Sequence, residues 1–482
     1  MQEKWLKIKA TLQSTYLYVI YLFFVRNFRK FVAALKKAGK SIKKSWRRFI
    51  DPFYKYYLFK VLYPKTYKKY SSLPVDERKV VFVEIRLPKL TNSFKLLYDT
   101  IYRNYDFDIH CHFLRNTYVT RRQYRKNCQE MVKDIATAKY VFFDEATNVN
   151  GCFKMREETV VTQLWHGCGA FKKFGYSTAD AIFGATREMM DKYPFNRNYT
   201  TVTVSSPEVI WAYEEAMQYS RESGVVKALG SSRTDIFYDG EFVEKAFENL
   251  YQIMPQAKGK KIILYAPTFR GRVAKATTPK VLIPEFMKYE LGDEYVLLLK
   301  HHPLVRKRPE ITEYCSDFAM DVTDTMTIED LLCVADICIS DYSSLVFEYS
   351  LFERPMIFLA HDLEEFFDWR GFYYDYYELA PGPIVKNTTE VIEYIKNIES
   401  LYDRKRVHLF RKKFMSACDG HATERIMADA FGDALEKFKR ETPLEKADYH
   451  LIPHSKDYVE IDEEEDEDSD SENEKTSEVD DT

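Results

Sequence analysis

The sequence predicts an α/β protein in which two Rossmann-like domains face a central cleft, preceded by a basic helical extension. Three observations predict it. Short β-branched runs alternate with helical stretches between about residues 74 and 440, the pattern of strand–helix–strand units and a parallel sheet. Two histidine motifs, Gln163-Leu164-Trp165-His166-Gly167 and Lys300-His301-His302-Pro303, stand about 135 residues apart, each directly after a run that reads as a buried strand. A third turn, Ser340-Asp341-Tyr342-Ser343-Ser344, closes another strand in the same manner. Parallel sheets bind ligands in the crevice at the carboxyl ends of their strands, so the motifs mark two half-sites, one on each domain.

In the first domain, Val80 to Ile85, Tyr140 to Asp144, Thr159 to Leu164 and Thr201 to Val204 read as strands. Ser93 to Tyr102 and Arg121 to Ala138 read as helices between the first two. A second series begins near Val225, with strands at Lys261 to Tyr265, Tyr295 to Leu299, Phe318 to Val322, Asp336 to Ile339 and Pro355 to Leu359. Ile328 to Val334 and Ser344 to Phe352 are helical, and Thr388 to about Lys439 is read as wholly helical. The domain boundaries expected are 1–72 for a basic amphipathic segment, 73–225 and 226–440 for the two Rossmann-like domains, and 441–482 for an acidic, disordered tail.

Composition supports two sizeable cores, with 45% hydrophobic and 16% aromatic residues in 482. The net charge of −3 averages two opposed ends. Residues 1–70 hold 18 Lys and Arg against Glu3 and Asp51, and residues 459–482 hold 14 Asp and Glu against Lys475. The apolar run Tyr16 to Val25 is too short to span a bilayer as a helix, which takes ~20 residues. Phe23, Phe24, Phe28, Phe31, Trp46 and Phe49 are interleaved with ten lysines and arginines between Arg26 and Arg48. That mixture fits helices lying in the interface of an anionic membrane; an amphipathic helix packed on the protein's own body is the competing reading. No nucleic-acid-binding module accompanies the charge. The acidic tail, nearly free of apolar residues, is expected to be disordered. The eight cysteines form no Cys-x-x-Cys pair, which predicts free thiols in a reducing compartment and no structural zinc.

The candidate chemistry lies in the turns. His166 is followed by Gly167, which lets the chain turn and present the imidazole; a histidine exchanges protons near neutral pH. A structural histidine beside a turn is an equal reading. Lys300 and His302, ahead of Pro303, suit a diphosphate and the charge that grows on its leaving group; His301 points to the opposite side of the strand. Ser340, Ser343 and Ser344 open a helix whose N-terminus is a ready anion site, with Asp341 as a cap, or they form an ordinary capped turn. Arg270, in Tyr265-Ala266-Pro267-Thr268-Phe269-Arg270-Gly271, is a phosphate ligand or a surface arginine. Asp362 and Glu348 are within reach of ribose or glycerol hydroxyls on this reading, though their spacing alone does not establish it. No Asp-x-Asp pair or His-Glu-x-x-His motif suggests a metal.

With these motifs in order, residues 160 to 435 resemble the CDP-glycerol glycerophosphotransferase family, the teichoic-acid primases and polymerases. The matching residues are Gln163 to Gly167 with Lys172, Lys173 and Gly175; Tyr265 to Arg270; Lys300, His302 and Pro303. Asp330-Leu331-Leu332, Ser340 to Ser344, Arg354-Pro355, Asp362, Gly371 to Asp375, Pro381-Gly382-Pro383 and Asp419-Gly420 continue the series. The resemblance implies a GT-B fold and peripheral attachment to the cytoplasmic face of the membrane. It implies transfer of glycerol phosphate from CDP-glycerol to a hydroxyl of a lipid-linked acceptor, with release of CMP. By the same resemblance His166 is the base for the acceptor, with Trp165, Gly167, Lys172 and Lys173 beside it. His302 lies against the donor diphosphate, with Ser343 and Ser344 near its phosphates. The chain departs from the family's Thr-Pro-Leu after Gly167, having Cys168-Gly169-Ala170. Acceptor identity, primase against polymerase behaviour, any divalent metal requirement and oligomeric state stay open. A CDP-ribitol donor, a nucleotide-sugar glycosyltransferase and a non-catalytic membrane-bound binding protein are the rival readings.

Overall fold

The computed structural model describes residues 51–115, 119–181, 184–271 and 276–449. The chain divides into two units, residues 1–64 and 65–482. In the first unit, residues 51–64 are helical, with a π-helical stretch at Tyr57–Leu62. Among the described residues no helix is long and apolar enough to cross a membrane. Residues 1–50 of the segment expected to lie at a membrane interface, and the acidic tail from residue 450, lie outside the described residues.

The second unit contains two six-stranded parallel sheets. The first holds β1 (Asp76–Glu84), β2 (Asp108–Phe113), β3 (Ala138–Phe143), β4 (Val160–Gln163), β5 (Thr201–Thr203) and β6 (Val226–Lys227), in the order β2-β1-β3-β4-β5-β6. The second holds β7 (Lys261–Tyr265), β8 (Tyr295–Leu299), β9 (Ala319–Asp321), β10 (Ile337–Ser340), β11 (Met356–Leu359) and β12 (Ile384–Val385), in the order β12-β11-β10-β7-β8-β9. Both orders reverse direction once, between β1 and β3 in the first sheet and between β7 and β10 in the second. Such switch points open the crevice in which doubly wound sheets bind ligands. The architecture is GT-B-like, as the sequence predicts.

The central strands are continuous apolar runs because helices cover both faces of a parallel sheet. Val80 to Val83 and all of β8 are buried. Three strands escape the sequence pattern for physical reasons. β2, Asp-Ile-His-Cys-His-Phe, is an edge strand that carries polar side chains; His110 and His112 both contact Asp134 Oδ2, at 3.0 and 2.8 Å. β6 and β12 are two residues long, below any periodicity. Val226–Lys227 completes the first sheet, where the sequence reading opens the second series.

The closing region is not one helix but several, at Thr388–Lys396, Arg404–Phe414 and Ala422–Phe431 among others. The last of these returns to the first sheet. Phe431 packs on Tyr140 (ring centroids 4.4 Å) and Phe107 (4.9 Å), and Ile426, Met427 and Ala430 join the same core. Residues 438–449 follow along the helix Asn92–Asn104: Arg440 N–H donates to the Asn104 carbonyl at 2.8 Å and Tyr98 Oη to the Asp448 carbonyl at 2.5 Å. The first part of the predicted tail is therefore laid against the first domain. Phe431→Ala is expected to cost about 3–5 kcal/mol, the range for deleting a buried aromatic, read as a shift of the denaturant midpoint.

Candidate active site

The first half-site is built on the carboxyl ends of β1, β3 and β4. After β4 the backbone turns through Trp165, a non-glycine residue at φ +58°. Backbone in this region is costly for a bulky side chain and persists only where its surroundings impose it. Gln163 imposes it here. Its Oε1 accepts from Trp165 N–H at 3.0 Å, while its Nε2 donates to Tyr199 Oη and the Glu145 carbonyl. The turn presents His166, whose side chain is one-third exposed and whose Nδ1 lies 3.1 Å from Glu145 Oε2. The contact is an ion-pair distance outside hydrogen-bond alignment. Burial works to raise the Glu145 carboxyl, but the His166 ring and the Arg86 guanidinium beside it outweigh that and hold the group below its ordinary value. A carboxylate facing Nδ1 favours a proton there and leaves Nε2 as the acceptor.

Beside this pair, at the β1/β3 switch, Glu84 and Asp144 are buried side by side. Glu84 Oε1 accepts from the Arg86 and Leu87 N–H groups, and Asp144 Oδ2 from Thr91 Oγ1 at 2.7 Å. Their remaining oxygens, Glu84 Oε2 and Asp144 Oδ1, have no other partner. Burial and the neighbouring Asp144 push Glu84 up to about 8.

Beneath the His166 turn lies Arg233. It donates to the His166 carbonyl and pairs with Glu329 Oε1 at 2.8 Å and Glu348 Oε1 at 3.2 Å. Glu348, expected from the sequence to reach a donor hydroxyl, is buried against this guanidinium instead. The same turn sits tightly on the second domain. A Cβ at Gly169 (φ +66°) would fall 2.4 Å from the Phe347 ring, and one at Gly167 would stand 3.5 Å from Ser344 Oγ.

The second half-site follows β7, β8 and β10, and here several expected phosphate ligands are used internally. Arg270 grips Asp362 through two nitrogens, one at 2.9 Å, approaches Asp341 Oδ2 at 2.9 Å and donates to the Thr268 carbonyl. Asp341 is not a helix cap: its Oδ1 accepts from the Thr268 and Tyr342 N–H groups, at 2.8 and 2.6 Å. Asp362 is held by Arg270 and by Tyr342 Oη at 2.9 Å. These three residues fasten the β7 and β10 turns at the switch point. Lys300 Nζ donates to the Thr323 and Met326 carbonyls at 2.7 and 2.6 Å, and Ser340 Oγ to the Ala266 carbonyl. His301 is buried, with Nδ1 3.0 Å from Thr278 Oγ1.

His302, Ser343 and Ser344 keep exposed or half-exposed surface. His302 packs on Phe269 (4.8 Å), and its Nδ1 accepts from Leu304 N–H at 3.2 Å. Loss of water around the ring, with the Lys172 charge, lowers its pKa to about 4. The lowered value favours the neutral ring at pH 7, with Nδ1 as the acceptor. Ser343 Oγ accepts from Leu345 N–H at 3.4 Å, and the helix it opens, Leu345–Tyr349, is short.

Residues 171–173 cross to the second domain. Lys173 N–H donates to the Gly371 carbonyl and Tyr373 N–H to the Phe171 carbonyl, both at 3.1 Å, with Lys172 bridged to Phe372. Tyr373 Oη donates to Ser177 Oγ at 2.9 Å, and Trp211 Nε1 to Tyr374 Oη at 3.1 Å. A cavity of about 250 Å³ between Tyr374, Arg406 and Phe414 contains none of the candidate residues. Among the described residues no group of three or more His, Cys, Asp or Glu is arranged to hold a metal ion.

Residues 66–432 match the model of the CDP-glycerol:poly(glycerophosphate) glycerophosphotransferase family. The chain belongs to this family. It is 35% identical over 373 residues to a teichoic acid poly(ribitol-phosphate) polymerase of Bacillus spizizenii, covering 76% of this chain and 58% of that protein. It is 34% identical over 376 residues to a teichoic acid ribitol-phosphate primase of the same organism, covering 77% of this chain and 95% of that one. The chain thus spans just over half of the polymerase. In structure it resembles the wall teichoic acid polymerase TagF, with a TM-score of 0.63 at 20% identity, over 82% of this chain and 98% of that one. A TagF variant soaked with CDPG matches at 0.64.

Within this family fold, sequence reasoning missed Glu84, Asp144 and Glu145 beside His166, and Arg233 beneath it. Carboxylates closing the apolar runs of β1 and β3 were the available signal, because a charge at the end of a buried strand needs a reason to be there. For Glu84 the native value of about 8 exceeds the ordinary 4.5, so between those values the folded protein binds more protons than the unfolded chain. Stability is therefore fully present below 4.5 and is lost as pH rises toward 8. Glu84→Gln is expected to flatten this decline, gaining on the wild type in melting temperature as the pH is raised across that window.

Proposed function

We propose that this chain moves a polyol phosphate from a CDP-polyol to a hydroxyl of a lipid-linked acceptor, releasing CMP, in the synthesis of a teichoic-acid-like cell-envelope polymer. The observation that carries this reading is the His166–Glu145 pair at the end of β4, on a turn packed against Ser344 of the opposite domain. A base on one wall of the crevice and anion donors on the other are what a phosphoryl transfer between two substrates needs.

In the proposed reaction the acceptor oxygen attacks the phosphorus that carries the polyol. His166 Nε2 takes the hydroxyl proton, and Glu145 stabilises the imidazolium formed. The bond from that phosphorus to the bridging oxygen breaks, and the electron pair leaves with CMP. His302 Nε2–H, with Ser343 and Ser344, faces the donor phosphates. Trp165, Gly167 and Lys173 line the acceptor side. No role is given to a metal.

CDP-ribitol is the favoured donor, because four relatives that each match more than three quarters of this chain are named for ribitol phosphate. CDP-glycerol, the donor implied by the family resemblance in the sequence, is the second reading. It is supported by a 37% match over 180 residues to a teichoic acid poly(glycerol phosphate) polymerase of Bacillus spizizenii. The 18 basic residues among the first 70 support a peripheral position on the cytoplasmic, anionic face of the membrane, where a lipid-linked acceptor is met.

The deciding experiment is nucleotide release by the full chain with CDP-ribitol, CDP-glycerol and a UDP-sugar in turn, in the presence of membrane lipids bearing hydroxyl acceptors. CMP from either polyol donor is expected, and UMP or UDP in its place refutes the reading. His166→Ala should lower turnover at least ~100-fold, and Glu145→Gln at least ~10-fold, out of the ~10²–10⁴ that general-base catalysis supplies. Both should leave the melting temperature unchanged; a large drop in melting without a kinetic defect would assign the pair to structure.

A further inference from the structure

Three neighbouring strands of the first sheet end side by side, and each carries an ionisable group just past its end. Val83 of β1 is level with Phe143 of β3, and Phe143 with Gln163 of β4. Arg86 follows β1 by two residues, Glu145 follows β3 by two, and His166 follows β4 by three. Arg86 is fixed at both ends. Its N–H donates to Glu84 Oε1 at 2.8 Å, and its Nη2 to Asp144 Oδ2 at 3.4 Å, an oxygen that also accepts from Thr91 Oγ1. Its Nε then stands 3.5 Å from Glu145 Oε2. The same oxygen lies 3.1 Å from His166 Nδ1, close enough for a hydrogen bond but not aligned for one. The other oxygen of Glu145 accepts from Ala146 N–H at 3.2 Å.

One carboxylate oxygen is therefore shared between a guanidinium and an imidazole. A carboxylate facing a histidine favours the protonated ring, and a ring that rests protonated cannot take a proton from a hydroxyl. A cation on the same oxygen opposes that pull and holds the carboxylate short of full alignment with Nδ1. Arginine suits this task because its guanidinium keeps its charge throughout the working range of pH. The other ionisable groups around the pair are accounted for. Beneath the turn Arg233 is closed on Glu329 and Glu348, and Tyr199 Oη accepts from Gln163 Nε2. Beside Arg86, Glu84 is pushed up to about 8 by burial and by Asp144, so it is largely protonated at pH 7.

We propose that Arg86 is a positioning residue for the transfer reaction: by holding Glu145 Oε2 away from alignment with His166 Nδ1, it sets the strength of His166 as a base. This deepens the reading of the chain as a polyol-phosphate transferase and rests on it. Arg86 acts through Glu145 and is given no contact with either substrate. The end of β1 thereby joins the site at the end of β4 through the strand that lies between them.

The test is NMR titration of His166 in the full chain, with the pH profile of kcat/KM for CMP release from CDP-ribitol and CDP-glycerol. Arg86→Met is expected to move the His166 midpoint, and the acid limb of the profile, to higher pH. The shift should be roughly 0.5–1 unit, less than the 1–3 units of a direct charge contact. On the acid side kcat/KM then falls ~3- to 10-fold, and it recovers toward wild type as the pH is raised. Arg86→Gln, whose amide still donates to Asp144, should shift alike and serves if the methionine variant is unstable. Arg86→Lys should reverse most of the shift. In a Glu145→Gln background, Arg86→Met should move the midpoint less than half as far, because the shared charge is gone. An unmoved midpoint in the neutral variants, or an equal shift without the Glu145 charge, overturns the assignment and leaves the transferase reading in place. A wild-type protein that releases CMP from neither donor overturns the transferase reading, while the His166 titration still decides the Arg86 contact.

Discussion

A buried guanidinium, Arg233, couples the turn that bears His166 to the second domain, and the geometry of the cleft follows from that contact. It donates to the His166 carbonyl while Glu329 and Glu348, from helices of the second domain, compensate its charge. Burial works to raise Glu329, but Arg233 outweighs it and leaves the carboxyl below its ordinary value; burial raises Glu348. Removing one member of such a cluster strands the others, which costs about 3–5 kcal/mol. The cluster is therefore a poor source of net stability and a strong source of register. It fixes where the turn stands, and Gly167 and Gly169 leave room for it to stand there.

The central strands of both sheets were legible because their pattern is set by burial on both faces. β7 and β8 fall on the residues the apolar runs indicate. Edge elements were not, since β2 keeps polar residues on an open face and β6 and β12 are too short to show a period. The closing helical region carries a helical pattern throughout, yet that pattern holds no information about which sheet each helix covers. Only the packing of Phe431 on Tyr140 reveals the return to the first domain.

The site divides along the same line. Motifs located the turns but not the duty of each side chain within them. Arg270, Asp341, Asp362, Lys300 and Ser340 lie in the motif turns, and their polar atoms are spent on holding those turns together. A motif residue is as readily needed to shape a loop as to touch a ligand, and one sequence cannot separate the two. Glu145, by contrast, belongs to no motif and meets His166 only because β3 and β4 are hydrogen-bonded neighbours.

The return of the helix Ala422–Phe431 also bears on how the chain is made. Tyr140, Phe142 and Phe107 of the first domain find their cover in residues synthesised some 290 positions later. At ~5–20 residues per second of synthesis, an emerging first domain waits on the order of tens of seconds with that aromatic surface uncovered. Pairings this distant in sequence also slow folding, because the loop must close before they form. The first domain is thus the segment of the nascent chain that needs protection from aggregation, and its final structure is completed only when the C-terminal helices leave the ribosome.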